Sequence, residues 1–161
     1  MDTKYKIEDF EIDFMKPLGK GGFSEVYKAT EKKTGKIYAI KRFSKENYFK
    51  EELDNMELMN KYKCENSTKF IGYFEEENLI YLIMEFCDCN LAQILKEKKL
   101  NVKEIKEILE QLNNAFKLMY DNSIIHRDIK PQNILIKKLE NNKCLKASEN
   151  SPPASPSLPS P

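Results

Sequence analysis

Three side chains suited to moving a proton or a phosphoryl group lie close together in the segment HRDIKPQN, residues 126–133. Asp128 is a carboxylate that can accept a hydroxyl proton, and Lys130 carries a cation that can steady a transferring phosphoryl group. Asn133 adds an amide oxygen, a ligand type that hard cations accept. A chance turn around Pro131 is the alternative interpretation. The spacing of the three side chains favours a phosphoryl-transfer site.

A glycine-rich segment, LGKGGFSEV (residues 18–26), offers a place for phosphates to bind. Closely spaced glycines let backbone amides approach phosphate oxygens, and they adopt turn geometries closed to other residues. A surface turn is the alternative. Dinucleotide-binding and Walker loops both open a helix, whereas SEVYKAT is typical of a strand, and no Gly-Lys-Ser/Thr follows. We therefore predict a glycine loop between two antiparallel strands.

Lys41 ends the segment YAIK on the predicted third strand. A cation at that place could face phosphates under the glycine loop and balance their charge. Lysines are abundant in this chain, so the position gains weight only from the glycine loop before it and the Asp128 segment after it.

Together these three segments resemble the eukaryotic protein kinase family over roughly residues 10–137. The segment IKPQN is similar to the serine/threonine branch, because tyrosine kinases usually replace its lysine. The resemblance implies a transferase that binds ATP and Mg²⁺ and moves the γ-phosphate to a Ser or Thr of a protein substrate. It also implies the fold class: α+β, with a protein-kinase-like small lobe (a five-stranded antiparallel sheet plus one helix) and the start of a helical large lobe.

The resemblance further implies a role for each site residue. Asp128 would be the catalytic base, Lys130 its phosphate-directed partner and Asn133 a Mg²⁺ ligand, while His126 would be structural. Lys41 would hold the α- and β-phosphates of ATP. The implied ATP-binding set is Leu18, Gly19, Lys20, Gly21, Gly22, Val26, Ala39, Lys41, Met84 as gatekeeper, the backbone of Glu85 and Cys87 at the hinge, and Leu135.

Two features depart from the family pattern. The alignment puts Asn55 where the family has the Glu that pairs with the strand lysine. Glu52 lies one turn earlier and Glu51 just before it, and either could pair with Lys41 if the helix is shifted. No Asp follows Asp128, so the sequence has no Asp-Phe-Gly motif after the catalytic loop to supply the second metal-binding carboxylate. We expect a kinase domain truncated after the catalytic loop. The alternative is a catalytically inactive, pseudokinase-like module for nucleotide binding or protein interaction.

Hydrophobic periodicity predicts the elements that position these residues. It indicates five antiparallel strands, with a helix at about 46–62 between the third and fourth strands and a long helix at 101–122 after them. The expected division is a partial kinase domain at 10–146 and a disordered Ser/Pro-rich tail at 147–161. Within the domain, the small lobe would cover about 10–86 and the large lobe would begin at about 88–146.

The composition suits a globular protein: of 161 residues, 40% are apolar and 33% are charged, with a net charge of +1. The even mixture of charges does not favour a nucleic-acid partner. No segment approaches the ~20 apolar residues of a membrane span, and the first residues lack the apolar stretch of a signal peptide. We expect an intracellular, cytoplasmic protein whose cysteines, including Cys87 and Cys89, are reduced thiols rather than zinc ligands.

Overall fold

A computed structural model describes residues 5–47, 50–138 and 143–147 of the chain, with the backbone alone for residues 47, 51 and 143–147. The elements alternate between strands and helices in chain order. They are β1 (Phe10–Ile12), β2 (Gly19–Lys20), β3 (Ser24–Glu31), β4 (Ile37–Ser44), α1 (Lys50–Lys61), β5 (Phe70–Glu76), β6 (Leu79–Glu85), β7 (Cys89–Asn90), α2 (Leu91–Glu97), α3 (Val102–Asp121), β8 (Ile134–Lys138) and β9 (Lys143–Ala147).

The main sheet is antiparallel throughout, in the order β1, β3, β4, β6, β5, and β2 also pairs with β3. The prediction of an antiparallel sheet is confirmed, but the strand expected first is split in two. Pro17 lies between the two pieces and has no N–H to donate to a ladder. Phe14 lies in the turn between the two pieces and is 41% exposed.

Each face of the main sheet carries its own apolar cluster, because side chains alternate along a strand. One face, here called the outer face, is covered by the N-terminal segment, with Tyr5 and Ile7 packed on it. The other, the helix face, packs against Leu53 and Met56 of α1. The outer-face cluster consists of Phe10, Ala29, Tyr38, Ile40, Phe74, Tyr81 and Ile83, and the sheet's contribution to the helix-face cluster is Phe43, Phe70, Ile80, Leu82 and Met84.

Helix α1 begins at Lys50, later than the predicted start at 46. Residues Lys45–Asn47 form a 3-10 turn, and residues 48–49 lie outside the described part of the chain. The ladder of β4 ends just before this turn, so the chain changes direction there instead of entering the helix directly.

The second part of the fold is built on α3 and a small antiparallel sheet of β7, β8 and β9. Helix α3 spans Val102–Asp121, which confirms the prediction at 101–122. Asn101 caps it: its side chain accepts the N–H of Glu104, and the Glu104 carboxylate accepts the N–H of Asn101, both at 3.0 Å. The short helix α2 was not predicted; Asn90 caps it in the same way.

No helix in the described ranges is both long enough and apolar enough to cross a lipid bilayer. Of the tail expected at 147–161, Ala147 belongs to β9, opposite Ile134. The remainder of that tail lies outside the described residues.

Candidate active site

The glycine loop joins two antiparallel strands, as predicted. Gly19 lies opposite Val26, and the Gly21 N–H donates to the Ser24 carbonyl at 2.8 Å, which closes the turn. None of Gly19, Gly21 and Gly22 has a positive φ, so the expectation that this turn needs glycine backbone geometry is wrong. A Cβ atom built at Gly19 or Gly22 would meet no other atom within 4 Å. These two glycines leave space beside the backbone rather than relieve strain in it.

A charged network on the outer face ties the loop to the sheet. The Glu25 carboxylate accepts hydrogen bonds from the Tyr27 hydroxyl at 2.5 Å and from Arg42 Nη2 at 2.6 Å, and it lies 3.1 Å from Lys20 Nζ. The Tyr27 hydrogen bond first, and then those from Lys20 and Arg42, lower the pKa of Glu25 to about 2. This network was not predicted, because the spacing of these residues in the sequence does not indicate contacts across three strands.

Strand register brings four of the predicted ATP-site residues together on the helix face. Val26 is opposite Lys41, and Ala39, two residues before Lys41, is opposite Met84. Residues paired across a ladder, and residues two apart along a strand, share one face. Leu18 is 51% exposed, and its N–H donates to the Val26 carbonyl at 2.7 Å.

The Lys41 ammonium is paired with a carboxylate from α1. Its Nζ lies 2.5 Å from Glu52 Oε1, and the two side chains are 6% and 9% exposed. Lys41 Nζ also lies 5.9 Å from the centre of the Phe43 ring. The pair therefore exists, and it is formed by Glu52, one of the two alternatives, and not by the residue at the aligned position, Asn55. Asn55 lies almost one helical turn beyond Glu52, and the position of α1 against the sheet puts the earlier turn beside Lys41.

Glu85, at the end of β6, connects the two parts of the fold. Its N–H donates to the Lys69 carbonyl and its Oε1 accepts the Lys69 N–H, both at 2.9 Å, while Oε2 accepts Lys137 Nζ at 2.7 Å. Because the Glu85 N–H already donates to Lys69, the backbone group of Glu85 that could hydrogen-bond a nucleotide base is its carbonyl oxygen. Cys87 follows in the connection to β7, half-buried. Leu135 lies on β8 in the small sheet, opposite Asn90.

The loop after α3 gathers its polar groups around Asp128. Lys130 Nζ lies 2.8 Å from Asp128 Oδ2, and Asn133 Nδ2 donates to the same oxygen at 2.8 Å and to the Asp128 carbonyl at 2.9 Å. The hydrogen bond from Lys130, together with that from Asn133, lowers the pKa of Asp128, although burial opposes this. The structure thus brings the three residues of the predicted catalytic segment together on one carboxylate.

Backbone geometry and one buried ring hold this loop. The Asp128 N–H donates to the His126 carbonyl at 2.8 Å and lies 3.3 Å from His126 Nδ1, and the His126 side chain is buried. Arg127 takes a left-handed φ of 61°, a conformation that costs a residue with a Cβ about 1–2 kcal/mol. The turn Pro131–Asn133 then returns the chain toward Asp128, with Asn133 buried.

The donor set around Asp128 is small. In the part of the chain that the structure describes, no group of three or more His, Cys, Asp or Glu side chains could hold a metal ion. Cys64, Cys87 and Cys89 form no disulfide.

Comparison with known proteins agrees with this geometry. Residues 12–148 match the protein kinase domain. The chain is 37% identical over 140 residues to an Aurora kinase of Schizosaccharomyces pombe, an alignment covering 83% of this chain and 39% of that kinase. It is 37% identical over 134 residues to a probable myosin light chain kinase of Dictyostelium discoideum, covering 81% and 42%.

A solved structure also agrees with this fold. The crystal structure of Rad53 1-466 in complex with AMP-PNP superimposes with a TM-score of 0.74 at 29% identity, covering 86% of this chain and 38% of that one. The chain thus spans about two fifths of the length of each of these three proteins. Since one family description covers most of its residues, this chain belongs to the protein kinase family.

Proposed function

We propose that residues 12–148 are the ATP-binding part of a protein serine/threonine kinase, which transfers the γ-phosphate of ATP to a Ser or Thr hydroxyl of a protein substrate. The observation that carries this proposal is the convergence of Lys130 and Asn133 on a single oxygen of Asp128. Phosphoryl transfer relies mainly on positioning and on charge stabilisation, and this carboxylate is already positioned before any substrate binds.

ATP would bind on the helix face of the sheet, under the glycine loop. The open space at Gly19 and Gly22 would let backbone amides approach phosphate oxygens, and Lys20 and Gly21 would complete the loop. The Lys41 ammonium is oriented by Glu52 and would contact the α- and β-phosphates. Leu18, Val26, Ala39, Met84 and Leu135 would enclose the adenine, and the backbone of Glu85 and Cys87 would meet its polar edge.

Asp128 would act on the hydroxyl group of the substrate. Its lowered pKa keeps the carboxylate ionised at neutral pH, so it can accept a hydrogen bond from the hydroxyl and orient the oxygen toward the γ-phosphorus. The proton passes to the carboxylate as the oxygen–phosphorus bond forms and the bond to the leaving ADP breaks. Lys130 Nζ lies 2.8 Å from Asp128 and would also contact the transferring group.

Mg²⁺ fits this site through one protein ligand. The Asn133 side chain lies beside Asp128, to which its amide nitrogen donates, and its amide oxygen would be the Mg²⁺ ligand. Mg²⁺ is commonly held by one or two side chains together with substrate phosphates and water. When bound, the ion would neutralise charge on the β- and γ-phosphates. Phosphate oxygens of the nucleotide and water would complete its coordination.

A second candidate function is nucleotide binding without transfer. It is favoured by one observation: no Asp follows Asp128 in the sequence, so the 161-residue chain lacks the second metal-binding carboxylate of the family. We expect its affinity for ATP to be weak for the same reason.

Calorimetry with ATP separates nucleotide binding from transfer. Binding by the 161-residue chain that weakens at least tenfold in Lys41→Met supports an ATP site, whereas unchanged affinity in that variant contradicts the placement of the phosphates. Lys61→Met, at the exposed end of α1, is the matched control. Transfer is tested separately with radiolabelled ATP and a generic protein substrate, comparing an in-frame extended chain with its Asp128→Asn variant.

A further inference from the structure

A cavity of about 420 Å³ lies on the opposite side of the hinge from the proposed ATP site. Tyr38 is three residues from Lys41 on β4, so the two side chains point to opposite faces of the sheet, and Tyr38 lies on the outer face. Glu85 is paired with Tyr38 across the ladder and therefore lies on the outer face as well. The starts of β4 and β5, the connection at 86–88 and the end of β8 form the walls. Its volume falls in the range of ligand pockets, about 300–1,000 Å³.

Both carboxylates of this cavity accept hydrogen bonds within the protein, and Glu85 is also ion-paired with Lys137. The charged lining of the cavity consists of four lysines and two acids. Glu85 accepts Lys137 Nζ at 2.7 Å and the Lys69 backbone N–H at 2.9 Å. Asp88 Oδ2 accepts the Lys138 backbone N–H at 2.7 Å.

Three of the four lysines have no acidic side-chain partner among the described residues. Within residues 5–47, 50–138 and 143–147, the ammonium groups of Lys36, Lys69 and Lys138 form no ion pair with a described side chain. Lys36 Nζ lies 5.4 Å from the centre of the Tyr38 ring. These three ammonium groups, from three different segments of the chain, therefore line one concavity together with the carboxylates of Glu85 and Asp88, so the lining carries four cations against two anions.

The remaining walls are apolar. Ile37 is 41% exposed, and Ile71 and Phe86 are half-buried. An inorganic anion would leave these surfaces in contact with water, whereas an aliphatic side chain placed between them would cover them. The cavity thus combines a cationic rim with an apolar floor.

We propose that this cavity binds an acidic peptide segment, with an aliphatic side chain on the apolar floor and flanking Asp or Glu carboxylates at Lys36, Lys69 and Lys138. Charge complementarity selects the acidic flanks, and the concave apolar surface selects a side chain over a phosphate backbone. The net charge of +1 for the whole chain also provides little general attraction for a nucleic acid.

Fluorescence anisotropy tests the proposal with a labelled peptide, Asp-Glu-Leu-Glu-Asp, titrated with the 161-residue protein. We expect saturable binding that weakens at least tenfold for Asn-Gln-Leu-Gln-Asn and several-fold for Asp-Glu-Gly-Glu-Asp. Added salt should also weaken binding, because the contacts are exposed ion pairs. No saturable binding, or equal binding of the neutral peptide, would overturn the proposal.

Variants locate the site. Lys69→Gln and Lys138→Gln should each weaken binding by about twofold to fivefold, as expected for exposed ion pairs. Ile37→Asn should weaken it through the apolar floor, with a melting curve recorded to show that the variant folds. Lys99→Gln, on an exposed lysine outside the cavity, is the matched control. Equal losses in Lys99→Gln and Lys69→Gln, or displacement of the peptide by a single-stranded oligonucleotide that binds more tightly, would contradict a peptide site here.

Discussion

Lys41 Nζ on β4 lies 2.5 Å from Glu52 Oε1 on α1, and neither side chain is more than 9% exposed. The pair fixes helix α1 against the sheet and fixes the direction in which the Lys41 ammonium points. Two charges removed from water are tolerated only if each compensates the other, so the pair links the stability of the small lobe to the geometry of the proposed ATP site.

Glu52→Gln should lower both the stability of the small lobe and its affinity for ATP. Removing one partner of a buried ion pair leaves an unpaired charge and typically costs about 3–5 kcal/mol, so we expect a clear fall in the free energy of unfolding in urea. ATP affinity should fall in the same variant, because Lys41 loses the carboxylate that orients it. Chemical denaturation and calorimetry measure the two effects.

Two control variants distinguish the loss of the Lys41–Glu52 ion pair from a general effect of substitutions in α1. Glu57→Gln changes an exposed carboxylate of the same helix and should alter stability by no more than about 0.5 kcal/mol. Asn55→Ala changes the position that sequence alignment assigned to the pair. A loss of ATP affinity in Asn55→Ala as large as in Glu52→Gln would contradict the assignment of Glu52.

The residue of α1 that pairs with Lys41 could be predicted only in part from the sequence. Periodicity identified α1 and its apolar side, since Leu53 and Met56 pack on the sheet. It could not determine how far the helix is shifted along its axis, because that shift depends on packing with β4 and on the turn at Lys45–Asn47. A shift of about one turn exchanges Asn55 for Glu52 beside Lys41.

Two glycine substitutions distinguish a glycine that leaves space for a ligand from a glycine that is needed for its positive φ. Gly22→Ala adds a methyl group where no atom lies within 4 Å, so the fold should keep its stability while ATP affinity falls. Gly35→Ala imposes a Cβ at a φ of 70° and should cost about 1–2 kcal/mol without changing ATP affinity. Thermal melting and calorimetry on both variants measure this; unchanged ATP affinity in Gly22→Ala would contradict binding under the loop.

The Glu25 network should make stability depend on pH. The pKa of Glu25 is about 2 in the folded state against an ordinary value of 4.5, so the folded state binds fewer protons between these values. The stabilisation is fully present above the ordinary value and is lost as pH falls through about 2. We expect Glu25→Gln to lower the melting temperature at pH 7 and to make little difference below pH 2.

Glu97→Gln, at the exposed end of α2, is the control for this experiment. A melting-temperature difference between wild type and Glu25→Gln that persists unchanged at the lowest pH would show that the hydrogen bonds do not depend on an ionised Glu25.

The strands also show what a sequence can predict. Alternation gave the antiparallel sheet and its glycine loop, because period-2 burial is a local signal. The interruption at Pro17 and the seven residues of α2 were missed. A helix of two turns carries too few apolar positions to show a period, and its capping Asn90 is also a strand residue of β7. The contacts of Glu25 and Glu85 join residues that are distant in sequence, so the spacing of residues along the chain does not predict them.

Helix α3 presents part of its apolar face to solvent. Leu112, Ala115 and Met119 are buried, whereas Leu109 is 61% exposed. Leu109→Lys should therefore leave the melting temperature nearly unchanged and reduce light scattering in concentrated solution, because an exposed apolar patch promotes association. Leu112→Ala, at 3% exposure, should cost about 2–5 kcal/mol. Equal destabilisation by the two variants would show that Leu109 is covered in solution.

The last prediction concerns catalysis by the 161-residue polypeptide itself. Its loop positions Asp128, Lys130 and Asn133, but no later Asp exists in the sequence to hold the metal that bridges the β- and γ-phosphates. We expect no transfer of radiolabelled phosphate above background from this polypeptide. A chain extended in frame through an Asp-Phe-Gly motif and a large lobe should phosphorylate Ser or Thr, and Asp128→Asn should reduce that rate by at least about 100-fold, the usual loss for a general base.

Each result of this comparison has a distinct meaning. Transfer by the 161-residue polypeptide that disappears in Asp128→Asn would show that Asp128 and Asn133 suffice without a second carboxylate. An extended chain that binds ATP and transfers nothing would favour nucleotide binding as the function. Because Glu52 already pairs with Lys41, the inactivity of such a chain could not be attributed to Asn55. The cause would then lie in how the substrate hydroxyl reaches Asp128, and a peptide bearing Ser in place of the generic protein substrate would test that step directly.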